Sequence, residues 1–142
     1  MKTCLVDTGA FVAYFDSADA RHERVFAAFD AVRPIIRTTM PVITESIYML
    51  NHIADGPAAL VEFLETTGAA IAASSGWQDL RKATALMRKY RDAPMDYPDA
   101  SLVCLAEDLN LRDILTTDER GFRVFRIHGR QSFHLVLDDF RS

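Results

Sequence analysis

Five acids in this sequence are spaced so that a fold could gather them into one acidic centre: Asp7, Glu45, Asp96, Asp99 and Asp118. Asp7 follows the apolar run Cys4-Leu5-Val6, and Asp118 closes Ile114-Leu115-Thr116-Thr117. Glu45, Asp96 and Asp99 sit near the starts of predicted helices. Clustered carboxylates repel one another, so such a centre is tolerable mainly around a hard cation, Mg²⁺ or Mn²⁺. Each acid also has an ordinary structural use. Asp7 and Asp96 can cap helices, Glu45 and Asp99 can complement a helix N-terminus, and Asp118 can close a turn. Thr8 could cap in place of Asp7 and leave that carboxylate free. Thr8 and Thr117 each adjoin an acid and carry hydroxyls able to hold it in place.

The elements that would position these acids alternate between strand and helix patterns. Thr3 to Val6 reads as a short buried strand, followed by helices over Gly9 to about Asp16 and about Ala20 to Val32. Pro34 breaks the second helix and Ile35-Ile36 opens another strand. Thr38-Thr39-Met40-Pro41 combines a hydroxyl cap with a first-turn proline, predicting a helix to about Ala54 that contains Glu45. A helix over Ala58 to Thr66, a strand over Ala69 to Ala73 and helices over Gly76 to Arg91 and Tyr97 to Asn110 follow. Ile114 to Thr117 is a predicted strand. Phe122 to Phe125 and Phe133 to Val136 are further strand candidates. The alternation predicts a three-layer α/β/α fold with a mainly parallel central sheet, in one domain over residues 1–142. Sites in such sheets form beyond the carboxyl ends of strands, where Asp7 and Asp118 fall.

Composition narrows the function classes. The chain has 142 residues, 49% of them hydrophobic, enough for a real core. No apolar run approaches the ~18 residues of a membrane helix, and the apolar start halts at Asp7, so a soluble, cytoplasmic protein is expected. Cys4 and Cys104 stand in apolar surroundings outside any metal spacing, as reduced core residues would. Net charge is −4, which alone would disfavour a nucleic-acid partner. Yet ten Lys and Arg fall between Arg81 and Arg130, none lies between Thr38 and Leu80, and a divalent ion would offset the clustered acids. Arg120, Arg123 and Arg126 follow the last acid closely and are the candidate contacts for RNA phosphates. The basic residues of the Gly76 to Arg91 helix spread over more than one face and read equally well as a solvated surface. Phe11, Tyr14, Phe15, Phe26 and Phe29 recur at helical spacing; most belong to a core, and any remainder can line a groove for a partner.

Three segments resemble the PIN-domain family, and within it the VapC-type toxins. VDTGAFVAYFDSADARHE is similar to the family's first motif, PVITESIYMLN to its second, and DYPDASLVCLAEDLNLRDILTTDERGF to its final block. The resemblance covers nearly the whole chain and implies Mg²⁺- or Mn²⁺-dependent endoribonuclease activity. It makes Asp7, Glu45, Asp99 and Asp118 the catalytic acids, with Asp96 as an auxiliary. Asp7, Asp99 and Asp118 would hold an ion directly, and Glu45 and Asp96 would complete it through water or hold a second ion. It also implies a homodimer and inhibition by a VapB-like antitoxin. Pro98 ahead of Asp99 departs from the usual range of residues there, but proline is tolerated in a first helical turn.

Two other readings compete. Phosphotransfer through Asp7 would need a second acid two residues on, where Gly9 stands. A catalytically silent PIN-like module that only binds RNA or protein would not need a complete set of acids.

Overall fold

The computed structural model describes residues 1–141. The chain runs β1 (Thr3–Val6), α1 (Thr8–Phe15), α2 (His22–Val32), β2 (Ile35–Thr39), α3 (Met40–Leu50), α4 (Gly56–Thr67), β3 (Ala70–Ala72), α5 (Trp77–Lys89), α6 (Tyr97–Leu109), β4 (Asp113–Leu115) and α7 (Glu119–Phe122). A small hairpin of β5 (Arg126–Ile127) and β6 (Gln131–Ser132) leads to β7 (His134–Leu135) and a 3₁₀ turn, Val136–Asp139. The main sheet has the order β3-β2-β1-β4-β7, with every neighbouring pair parallel. Parallel neighbours need crossover helices, which cover both faces of the sheet. This is the expected α/β architecture with helices flanking a parallel sheet.

The central strands are apolar on both sides because both sides are covered. Cys4, Leu5, Val6, Ile114 and Leu115 are fully buried. Residues of β2 show the two faces. Ile36 lies with Tyr14, Phe29 and Phe63 of α1, α2 and α4. Three residues on, the Thr39 hydroxyl meets Ser101 of α6 at 2.7 Å. Strand order reverses between β1 and β4, so a crevice opens beyond their carboxyl ends. The backbone ladder reaches this crevice: the Asp7 N–H donates to the Leu115 carbonyl at 3.0 Å.

Three boundaries depart from the sequence pattern. The run from Phe122 to Phe125 is not a strand. The Asp118 carboxylate accepts from the Gly121 N–H at 3.0 Å and caps the turn of α7. Phe122 and Phe125 then fall three residues apart on one side and are both fully buried. β4 ends at Leu115, which releases Thr116 and Thr117 from the ladder. α3 stops at Leu50 rather than Ala54, because the chain folds back at Gly56, whose N–H donates to the Ile53 carbonyl. A Cβ at Gly56 would stand 2.4 Å from the Leu50 carbonyl oxygen, a backbone atom that cannot step aside cheaply. Gly56→Ala is therefore expected to cost about 1–3 kcal/mol of stability in urea unfolding; an unchanged midpoint would show that this turn yields.

Candidate active site

The acids reach the crevice through four local structures. Asp7 leaves β1 in an extended conformation and caps α1, its Oδ1 accepting from the Thr8 N–H at 2.8 Å. Its Oδ2 accepts from the Thr116 hydroxyl at 2.9 Å, and the same hydroxyl oxygen accepts from the Asp118 N–H at 2.9 Å. One side chain thus ties the first acid to the last across the β1–β4 seam. Asp96 and Asp99 form a reciprocal capping box at the start of α6. The Asp99 N–H donates to Asp96 Oδ1 at 2.9 Å, and the Asp96 N–H donates to Asp99 Oδ2 at 3.2 Å. Pro98 sits in the first turn, where its missing N–H costs nothing.

These bonds leave Asp96 Oδ2, Asp99 Oδ1 and Asp118 Oδ2 without hydrogen-bond donors among the described residues. Asp7 and Asp99 are buried, at 5% and 7% exposure, and neither forms an ion pair with a described Lys, Arg or His. Burial pushes the Asp7 carboxyl up to about 7; the Thr8 and Thr116 hydrogen bonds oppose that rise, while Asp96 and Asp118 add to it. Burial pushes Asp99 up to about 9, with further repulsion from Asp7 and Asp96. The four aspartates are therefore one electrostatic set.

Glu45 stands apart from that set. It is half-buried one turn into α3, which packs between α1 and α6. It makes no hydrogen bond or ion pair with a described residue and is not among the leading influences on Asp7 or Asp99. The two threonines also differ from expectation. Asp7 itself caps α1, and the Thr8 hydroxyl is buried without a partner. The residue that holds the acids is Thr116, not Thr117. Thr117 instead closes over Gly9, where a Cβ would meet its hydroxyl oxygen at 1.9 Å. In the sequence the two threonines are chemically alike, and only the point where β4 ends decides between them.

The basic residues divide as well. Arg123 forms a fork with Asp138 at 3.1 and 2.8 Å. Arg126 turns one nitrogen, Nη1, to the carbonyls of Arg123, Val124 and Phe125. Arg123 is thus engaged in holding the α7 region, while Nε and Nη2 of Arg126 have no partner among the described residues. Arg120 is exposed without such a partner and lines an open cleft with Asp118, Asp92 and Pro94.

A divalent cation fits the donor chemistry. The site offers hard oxygens with unused lone pairs, an orphaned buried hydroxyl beside Asp7, and no competing basic side chain. Among the described residues no three His, Cys, Asp or Glu side chains stand close enough to hold an ion as they are set. Three direct protein ligands are thus not preassembled, which suits Mg²⁺, an ion that keeps several waters and takes one or two carboxylates.

Known proteins carry the same architecture. The PIN domain model matches residues 4–127. Ribonuclease VapC26 of Mycobacterium tuberculosis is 30% identical over 133 residues, spanning 93% of this chain and 98% of that protein. The crystal structure of VapC20 of the same organism, a sarcin-ricin loop cleaving toxin, superposes with a TM-score of 0.74. It is 15% identical and covers 87% of this chain and 96% of that one, a likeness of fold.

The buried acids set a pH dependence for the cation-free protein. In the unfolded chain Asp7 and Asp99 ionise near pH 3.8, but folded they hold protons to about pH 7 and 9. The folded state binds more protons across that window, so stability falls as pH rises through it. With EDTA present, the melting temperature is expected to drop between about pH 5 and 8. Asp7→Asn should melt higher than the parent near pH 8, by on the order of 2 kcal/mol, and Mg²⁺ should close that gap. A parent melting curve that does not move with pH would contradict the repulsion among these acids.

Proposed function

This chain belongs to the PIN-domain family, and we propose that its acidic crevice is the hydrolytic centre of an endoribonuclease, the toxin of a VapBC-type pair. The observation that carries this reading is the set of four aspartates gathered at the sheet's switch point with no counter-cation. A bound Mg²⁺ or Mn²⁺ supplies a water of lowered pKa and offsets charge on the scissile phosphate.

In this reading the chain's residues act as follows. Thr116 and the Thr8 N–H hold the Asp7 carboxylate in one orientation. The capping box does the same for Asp99, and the Gly121 N–H for Asp118. Asp99 Oδ1, Asp118 Oδ2 and Asp96 Oδ2 are the oxygens left that would hold the ion or its waters, alongside Asp7. Glu45 joins through water from α3. Asp96 is exposed, so it can take a proton from the attacking water and release it to solvent. The products would be a 5′-phosphate and a 3′-hydroxyl. Arg120, at the rim beside Asp118, would meet an RNA phosphate.

Two partners complete the proposal. A VapB-like antitoxin would seat an apolar segment in the groove formed by Tyr14, Phe26, Phe29 and Phe63, in which Phe26 is 47% exposed. A second copy would complete a homodimer. Among the described residues no helix is long and apolar enough to cross a membrane. Phosphotransfer through Asp7 is disfavoured, because the position two residues on is Gly9, packed beneath Thr117 with no room for a side chain.

Purified protein free of antitoxin is expected to cut RNA from a mixed transfer and ribosomal pool with Mg²⁺ or Mn²⁺ and not with EDTA. Asp7→Asn and Asp99→Asn should each lower the rate by about a thousandfold or more while remaining folded by circular dichroism. Folded variants that cut at the parent rate would remove these acids from the centre. Arg120→Ala should weaken RNA binding and reduce the slope of log K against log salt by about one. Arg123→Ala should leave that slope alone and lower the melting temperature. The reverse pattern would return Arg123 to the RNA interface.

A further inference from the structure

α5 turns its cations outward on one side. Counted over Gly76 to Arg91 the basic residues spread over more than one face, but the helix ends at Lys89 and leaves Arg91 outside it. At about 100° per residue, Arg81, Lys82, Arg88 and Lys89 then fall within an arc of about 120°, turned away from the buried Ala83. All four are exposed, and none forms an ion pair with a described residue. The one acid of α5, Asp79, lies off the arc. It lines, with Ala83, the pocket between α5, α6 and the ends of β2 and β3, and both its oxygens accept from Ser75 at 2.7 Å. Across a cleft from Lys82 and Lys89 stand Glu107, Asp108 and His128. Glu107 is committed to the His128 N–H at 2.7 Å, and Asp108 pairs with neither lysine. A chain of net charge −4 that gathers four unpaired cations on one arc offers them to an anionic partner.

The arc leads to the acidic crevice. α5 and α6 pack against each other across a short link, so they run antiparallel. α6 begins at the crevice with Asp96 and Asp99, and α5 therefore ends there. The exit from α5, Asp92 to Pro94, lines the open cleft with Asp118 and Arg120. From Lys89 the arc runs back to Trp77, about 18 Å away along the axis. Trp77 is 75% exposed and stands one turn before Arg81 on the same side of the helix.

A row of cations with a bare indole at its far end suits single-stranded nucleic acid. The charges follow the backbone, and the ring stacks on a base of any kind. An acidic peptide would engage the charges and leave the indole unused. We infer that the outer arc of α5 is a second binding site for single-stranded RNA, with phosphates along Arg81, Lys82, Arg88 and Lys89 and a base on Trp77. The site holds the strand away from the position of cleavage and sets how long a stretch of substrate the protein grips. The inference rests on the ribonuclease reading for its substrate, and its test separates the two.

The probe is a fluorescent oligouridine of about twenty nucleotides, titrated by anisotropy into the full chain in EDTA, where no ion loads the crevice. Arg81→Gln with Arg88→Gln, and Lys82→Gln with Lys89→Gln, are each expected to reduce the slope of log K against log salt by about 1.4. Trp77→Ala should weaken binding about tenfold. Melting temperatures should hold, because these side chains are exposed. Arg21→Gln with Arg33→Gln, at the two ends of α2 on the opposite side of the sheet, removes the same charge and should leave the slope alone. Equal losses in this control would reduce the effect to net charge and overturn the site. Binding indifferent to Trp77, with an oligoglutamate of equal length bound as tightly as the RNA, would overturn it in favour of an acidic peptide. With Mg²⁺, the α5 variants should raise KM for a long RNA and leave kcat unchanged; a fall in kcat with KM unmoved would overturn the assignment. No cutting by the parent, with the α5-dependent slope intact, overturns the nuclease reading and leaves the RNA site.

Discussion

The dominant constraint in this molecule is the burial of like charges. Asp7 and Asp99 are nearly removed from solvent, face other carboxylates and are answered by no described basic side chain. An isolated buried carboxylate is expensive, and here repulsion adds to the desolvation. The fold tolerates it by supplying donors in fixed places: the Thr8 N–H and Thr116 hydroxyl for Asp7, the Asp96 N–H for Asp99, the Gly121 N–H for Asp118. These bonds steady the carboxylates without neutralising them, so the centre keeps its appetite for a proton or a cation.

For Asp96, Asp99 and Asp118, capping leaves one carboxylate oxygen without a donor among the described residues. Asp7, Asp96 and Asp118 are each the N-cap of a helix, and Asp99 is the reciprocal partner in a capping box. A carboxylate has two oxygens, and a cap consumes only one of them. The same hydrogen bond that starts a helix also fixes the direction of the second oxygen. Helix N-termini moreover turn their positive dipole ends toward the cluster, which lowers the cost of gathering negative charge there. Local structure and the acidic centre are in this sense one device.

The surroundings of the crevice are unequal. Beyond β4, Arg120 offers positive charge at the rim, while Arg123 pairs with Asp138 after α7. Beyond β2 and β3, the adjoining pocket has apolar walls and acceptors and no cation.

Much of this could be read along the chain. The alternation of apolar strands with amphipathic helices identified a parallel α/β sheet, Thr39 and Pro41 marked the start of α3, and the acids themselves stood out by position after strands or before helices. These are local signals, carried by side-chain periodicity and cap chemistry that act within a few residues. Other features were decided by contacts between segments far apart in sequence. Thr116 rather than Thr117 joins Asp7 because β4 ends at Leu115, two residues short of the strand the sequence suggests. Phe122 to Phe125 is a helix end and a turn rather than a strand because Asp118 caps α7 and both rings find the core. Glu45 makes no hydrogen bond or ion pair with a described residue, and of the candidate arginines Arg123 pairs with Asp138 from beyond β7. The sequence by itself determined which elements form and which acids are available. Only the tertiary structure decided which groups meet, because whether a carboxylate, hydroxyl or guanidinium is free depends on neighbours that the chain brings in from elsewhere.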